Sequence, residues 1–252
     1  MTGSLWRIGA LARHNAMLRL RDPGQFIGYL IMPMVFMLVL RPIFQRAVPG
    51  GATQITTGLL VIYSMLALAI VGTSTLTERS WHTWDRLRAT RATIPELLIG
   101  KTLPAYAMLL LQQAVLLAYG ITIIGARPHG GGAYGLLAGA VLLWSATLLA
   151  IGTALAAVVR SYGELGAACD IGAITLATLG GAFVPVSMFP SWLRTVAPAS
   201  PGYWALTMLQ AAMRGDTHRT LVSAAILLAV GAAVAVFACR RLARGWGRTT
   251  ML

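Results

Sequence analysis

An all-α integral membrane protein is the fold class this sequence predicts, on three observations. Hydrophobic residues fill 57% of the 252 positions and charged ones only 11%, against about 45–50% and about 25% in soluble domains. The mean hydropathy is +0.73. The apolar residues are gathered into charge-free runs near the ~20 positions a helix needs to cross a ~30 Å hydrocarbon core. Lipid offers the backbone no hydrogen-bond partner, so each run must satisfy its own amides as a helix.

In chain order, residues 1–24 read MTGSLWRIGALARHNAMLRLRDPG. Arginines are scattered through them and no apolar run of about 7–15 residues forms, so this is not a cleavable signal peptide. At about 100° per residue, Arg7, His14 and Arg21 cluster on one face, opposite Leu5, Ala12 and Ala16. With Arg13 they describe a cytoplasmic helix lying at the membrane interface, although Arg19 breaks the pattern. Asp22-Pro23-Gly24 stops it, because Pro and the residue before it resist the helix. Six spans follow, at 25–44, 55–77, 102–126, 135–159, 163–183 and 220–239. No linker divides the chain, and 1–252 reads as one transmembrane domain.

The formal charge of +13 raises nucleic acid as a partner, and its distribution answers. Six spans put both termini on one side, with fourteen of the twenty basic residues: Arg7, Arg13, Arg19, Arg21, Arg79, Arg86, Arg88, Arg91, Lys101, Arg160, Arg240, Arg241, Arg244 and Arg248. By the positive-inside rule that side is cytoplasmic. The basic excess is a topology signal, so the reading has no nucleic-acid partner. The tail RRLARGWGR also suits anionic lipid.

Chemistry-bearing motifs are few. Gly100-Lys101-Thr102 imitates the end of a phosphate-binding loop, but Pro95 stands where that motif needs Gly and no strand precedes it. His14, His82, His129 and His218 are scattered, Cys169 and Cys239 have no partner at metal spacing, and no Gly-x-Ser-x-Gly elbow occurs. No catalytic or metal site is expected, and the chain has no ATP site of its own.

Between the second and third spans stands ERSWHTWDRLRATRATIPELLIGK, in which eight of 24 residues are charged. Trp81, Trp84 and Leu87 recur at i, i+3 and i+6, one apolar stripe of a short helix, with His82, Asp85 and Arg86 turned away from it. Tryptophans on one side and charges on the other suit a helix at the membrane surface. Thr93-Ile94-Pro95-Glu96 fits a capping box that starts the third span. The segment is either a topology-fixing loop or a docking element for a cytoplasmic partner.

In the fourth span Gly131, Gly135 and Gly139 form two overlapping small-xxx-small patterns. They predict close helix packing within the chain, with a subunit interface as the alternative. The fifth span holds Glu164, expected at the interface near Arg160, and Asp170, two turns in. An ionised group there is costly and usually functional; Asp170 is either a structural pair or part of a substrate route. The span then runs into GGAFVPVSMFPSWLRTVAPASPGYW, where Pro185, Pro190, Pro198 and Pro201 forbid one continuous helix. Phe183, Phe189 and Trp192 keep the stretch apolar. It predicts a re-entrant extracytoplasmic hairpin, followed by an interfacial helix near 203–214.

Three stretches carry a family resemblance: LARHNAMLRLRDP before a span, ERSWHTWDRLRAT…ELLIGK, and VPVSMFPSWLRTVAPASPGYW before the last span. Together with the six-helix plan they make the chain resemble permease subunits of ABC-2-type transporters, in particular the branch of daunorubicin-resistance permeases. The resemblance implies that Trp81–Thr90 is a coupling helix seated in an ATPase subunit. Thr83, Asp85, Arg86, Leu87 and Arg88 match family positions there, as do Glu78 and Arg79 before them, with Trp81 and Trp84 as the anchoring stripe. His82 stands where the family usually has Gly, and Arg91 where Pro is common. It further implies a transport subunit in a bacterial inner membrane, not itself an enzyme. Two copies of an ATPase partner would bind ATP and Mg, and a second permease chain, identical or not, would complete the pathway. Alternating access would move amphipathic drug-like molecules or lipids outward. The alternative is a self-contained secondary transporter or channel.

Overall fold

Glycines and prolines set the corners of this bundle. Helix α1 (Gly24–Ala47) ends at Val48-Pro49-Gly50. Gly50 takes the left-handed φ of 70° that side chains avoid, and Gly51 opens α2 (Gly51–Leu66). A Cβ on Gly51 would lie 2.0 Å from the Phe44 carbonyl oxygen, so only glycine lets α1 and α2 close this tightly. The second span continues as α3 (Leu68–Ser80) after a break at Ala67, whose N–H is shared between the Tyr63 and Met65 carbonyls. Next come α4 (Ile94–Tyr119), which widens into a π-turn at Gly120–Ile124, and α5 (Ala133–Val158). Helix α6 (Tyr162–Leu179) starts on Ser161, whose hydroxyl accepts the Glu164 N–H while the Glu164 carboxylate takes the Arg160 N–H. Short α7 (Ser191–Val196), then α8 (Pro201–Met213) and α9 (Thr217–Ala243), follow among the described residues.

This computed structural model describes residues 24–80 and 94–243, and before them positions 6, 9, 10, 12, 13, 15–17 and 21. Those early positions are helical, and no strand occurs among the described residues. The protein is an all-α, multi-pass membrane protein. Five stretches are long and apolar enough to cross a bilayer: Gly24–Ala47, Gly51–Thr73, Thr102–Ile124, Ala133–Val158 and Thr217–Arg241. The sixth expected span is α6, only 18 residues long and diluted by Glu164 and Asp170. It nonetheless runs the full thickness of the second span. At its start the Tyr162 hydroxyl meets Thr77, and just past its end the Gly181 carbonyl meets Gln54.

The helices therefore alternate in direction. Residues 48–50, 125–132 and 180–216 share one end, here the hairpin end; the start of α1, the end of α3 and the close of α9 share the other. The second span is the axis. It is 83% buried over its most apolar window, whereas α1 is 11% and α9 22% buried. Helices α1, α4, α6 and α8 pack around α2, and α5 links α3, α4, α8 and α9. An apolar exterior is stable because lipid replaces water there.

Two expectations need correction. Gly131, Gly135 and Gly139 do not mediate packing within the chain: a Cβ on any of them would meet nothing within 4 Å. Their face of α5 points outward because the helix buries Ala133, Leu137, Ala140 and Trp144 instead. The helix after the hairpin does not merely lie on the bundle. Gly202, Ala205, Leu206, Met208, Leu209, Ala211, Ala212 and Met213 of α8 are all buried, against α2, α5, α6 and α9. Small side chains at 202, 205, 211 and 212 let it sink in.

Candidate functional site

Polar side chains hidden in this apolar interior mark where specificity has been built, since each costs free energy unless partnered. At the hairpin end, Gln54 Nε2 donates to the Gly181 carbonyl at 2.8 Å, and Gln54 Oε1 accepts from Gln210 Nε2 at 2.7 Å. Thr57 lies 3.3 Å from the same Gln210 nitrogen. Gly58 completes the clasp, because a Cβ there would sit 2.0 Å from the Ala182 carbonyl oxygen. The second span, α8 and the root of the hairpin are thus one polar unit.

The hairpin itself has no continuous helix between 180 and 190, as the prolines require. Arg194 Nη2 donates to the Ser187 and Phe189 carbonyls and folds it on itself. Ser200 then returns to α6, its hydroxyl 2.6 Å from the Leu176 carbonyl oxygen. Phe183, Val184, Met188 and Trp192 stand exposed, Trp192 at 68%; Pro190 is exposed, while Pro185 and Phe189 are half-buried. The result is a greasy knob stapled by one arginine.

Deeper in the bundle, Gln112 Nε2 donates to the Tyr29 and Tyr63 carbonyls, tying α4 to α1 and α2. Gln113 Nε2 donates to Ser145, and Trp144 Nε1 donates to Ser64, both at or below 2.8 Å. The Gln113 Oε1 and Thr56 hydroxyl oxygens are buried without a hydrogen-bond partner among the described residues. None of these residues stands out by motif. The signal was there, however: glutamine, serine and tryptophan inside otherwise apolar runs.

One side of the axis is open. Between Gln54 and Thr73, only Tyr63, Leu66, Ile70 and Thr73 of the second span are not buried, and their spacing puts them on one helical face. Helix α1 borders that face through Phe36, whose ring centroid lies 6.4 Å from that of Tyr63. Helix α6 borders it from the other side, with Leu165 against Gly72. No substantial packing joins α1 to α6, so the stripe is the floor of a groove. Asp170 is exposed in the middle of α6, ninth of its 18 residues and within electrostatic reach of the Tyr29 phenol across the gap. It has no hydrogen bond or ion pair among the described residues.

The other expected residues fall as follows. Glu78 and Arg79 belong to the helical backbone at the end of α3, and their side chains lie outside the described residues. Trp81, Thr83, Trp84, Asp85, Arg86, Leu87 and Arg88 lie outside them too, as do Arg7, His14 and the Thr93 cap. Arg13 and Arg21 are helical and exposed. Gly100, Lys101 and Thr102 are all helical within α4, so the GKT sequence forms no phosphate-cradling loop.

A family model described as ABC-2 type transporter matches residues 7–213. Among curated proteins, none matches the chain significantly.

Proposed function

The chain belongs to the ABC-2 type transporter family, and from that premise we propose that it is the permease of an ATP-driven exporter in a bacterial inner membrane. ATP and Mg would be bound and hydrolysed by two copies of a separate ATPase subunit, and a second permease chain would face this one. Both termini are then cytoplasmic, on the same side as residues 81–93 and most of the basic residues. The motifs resemble those of the daunorubicin-resistance branch, and amphipathic drug-like molecules or lipids are the cargo that resemblance suggests.

One observation carries the reading: α3 is helical through Ser80 and continues, past a single break at Ala67, the most buried helix of the bundle. Residues 78–88 are in this way covalently attached to the axis. An ATPase pushing on Asp85, Arg86, Leu87 and Arg88 would push α3, with Ala67 as the joint at which its tilt can differ from that of α2. Such closure drives transport only if it favours one permease state over the other.

Co-expression of the chain with its ATPase subunit, followed by affinity capture, tests this. The complex is expected to form, and joint replacement of Asp85, Arg86 and Arg88 by alanine is expected to weaken it about tenfold or more. Equal capture of parent and variant sinks the docking assignment. Transport that needs no ATPase would favour a secondary transporter or channel instead.

A further inference from the structure

We propose that the cavity where α1, α2 and the 125–132 loop meet, at the hairpin end, binds a phosphate-type oxyanion, carried by a lipid headgroup or free in solution. The site requires neither an ATPase nor a cargo, and stands whatever the chain transports.

Charge at this end is unbalanced. Six basic residues stand here, Arg41, Arg46, Arg127, Arg194, Arg214 and Arg219, but of the seven acids only Asp216 does. By the positive-inside rule this is the outer end, where arginine is ordinarily scarce. Five of the six have a local task. Arg41 Nη1 donates to the Ile123 carbonyl at 3.3 Å, Arg194 staples the hairpin, and Arg219 lies 3.9 Å from Asp216. Arg46 and Arg214 close α1 and α8, where a cation complements the negative end of a helix. Arg127 belongs to no helix and makes no ion pair or hydrogen bond among the described residues.

What surrounds Arg127 supplies its task. With Gln45, Gly51, Thr53, Gly125 and His129 it lines a cavity of about 390 Å³, within the roughly 300–1,000 Å³ of small-molecule sites. Gly50 caps α2 without a side chain, and the N–H groups of Gly51, Ala52 and Thr53 have no acceptor among the described residues. Gly51 is buried, and a buried amide rarely goes unpaired. Arg41 brings a second guanidinium, its Nη2 3.9 Å from the point a Cβ on Gly125 would occupy. No acid is among the lining residues. A phosphate group has oxygens enough for both a guanidinium fork and helix-start amides. A cation would be repelled by Arg127, and an apolar ligand would leave the amides unpaired.

Equilibrium dialysis against the full-length chain in nonionic detergent tests the proposal with two probes, inorganic phosphate and dihexanoylphosphatidylglycerol. Saturable binding of at least one is expected at a single site. Tighter binding of the lipid marks a headgroup as the source, and tighter binding of phosphate marks the free ion; either upholds the site. Arg127→Gln should weaken binding about tenfold or more. Arg214→Gln removes the same charge at the same end but outside the cavity, and should leave binding unchanged. Thr53→Asp sets a carboxylate in the first turn of α2, which suits a helix start, so it should abolish binding without lowering thermal stability. That variant decides the matter should Arg127→Gln fail to fold. Binding of neither probe, equal weakening by Arg127→Gln and Arg214→Gln, or binding retained in Thr53→Asp overturns the proposal.

Discussion

Replacing Gln54 by leucine tests whether the hairpin is held to the bundle by its buried amides. Leucine keeps the site apolar and nearly filled, but it removes the donor to the Gly181 carbonyl and the acceptor of Gln210 Nε2. Gln210 keeps only the longer 3.3 Å contact with Thr57. One buried carbonyl and one buried amide proton are orphaned, a cost of about 1–3 kcal/mol in soluble proteins. Interhelical hydrogen bonds inside membranes run lower, about 0.6 kcal/mol on average and up to about 1.7. The expected loss is therefore about 1–2 kcal/mol, roughly a 5–30-fold shift in the folded-to-unfolded ratio. Reversible unfolding in mixed detergent micelles measures it, and protease cleavage within 181–200 should rise in parallel. Because Gln54 and Gln210 share a bond, Gln54→Leu and Gln210→Leu should be non-additive, with a coupling of about 0.5–1.5 kcal/mol. Losses that add within about 0.3 kcal/mol, or a Gln54→Leu variant as stable as the parent, would refute the clasp.

Three further outcomes follow from packing. Gly120→Ala drives a Cβ to 2.0 Å from Thr56 Cγ2 and should cost about 1–3 kcal/mol in the same unfolding assay; adding Thr56→Ala should recover much of it, since the Thr56 hydroxyl has no partner to lose. Trp144→Phe strips the donor from Ser64 and leaves a gap at a fully buried site, so it should cost about 2–4 kcal/mol, and a loss below about 1 kcal/mol would show that site to be loosely packed. Arg194→Ala removes the staple of the hairpin and should speed proteolysis between 186 and 199 while changing global stability by less than about 1 kcal/mol; unchanged cleavage there would show that the prolines alone shape it.

Much of the fold was legible in the sequence. The charge-free runs overlap the five stretches long and apolar enough to cross a bilayer, whereas α6 begins nine residues before the run at 171; Pro185, Pro190 and Pro198 announced the broken chain after it. Gly100 and Lys101 sit in a helix, as the missing glycine of the phosphate loop implied. Less was legible of what the helices touch. The Gly131, Gly135 and Gly139 stripe matched a packing motif, yet it faces outward because Trp144 and Leu137 claim the opposite side of α5. For Asp170, the sequence offered a structural pair or a substrate route; in the structure it is exposed in the middle of α6, without an ion pair or hydrogen bond among the described residues.

The division has a physical cause. Helix formation in lipid is a local decision, since each span must satisfy its own backbone, and hydropathy along the chain is enough to state it. By itself, then, the sequence determined that this is a multi-pass helical protein. Packing between spans is decided differently. Lipid is as apolar as the residues it meets, so no hydrophobic gradient tells a helix which face to turn inward. Orientation comes from the fit of small residues such as Gly58, Gly120 and Gly152 against particular neighbours, and from amides such as Gln54, Gln112 and Gln210 finding partners up to 156 positions away. Only the tertiary structure could decide that the second span is the axis, and that its open stripe lies between α1 and an acid on α6.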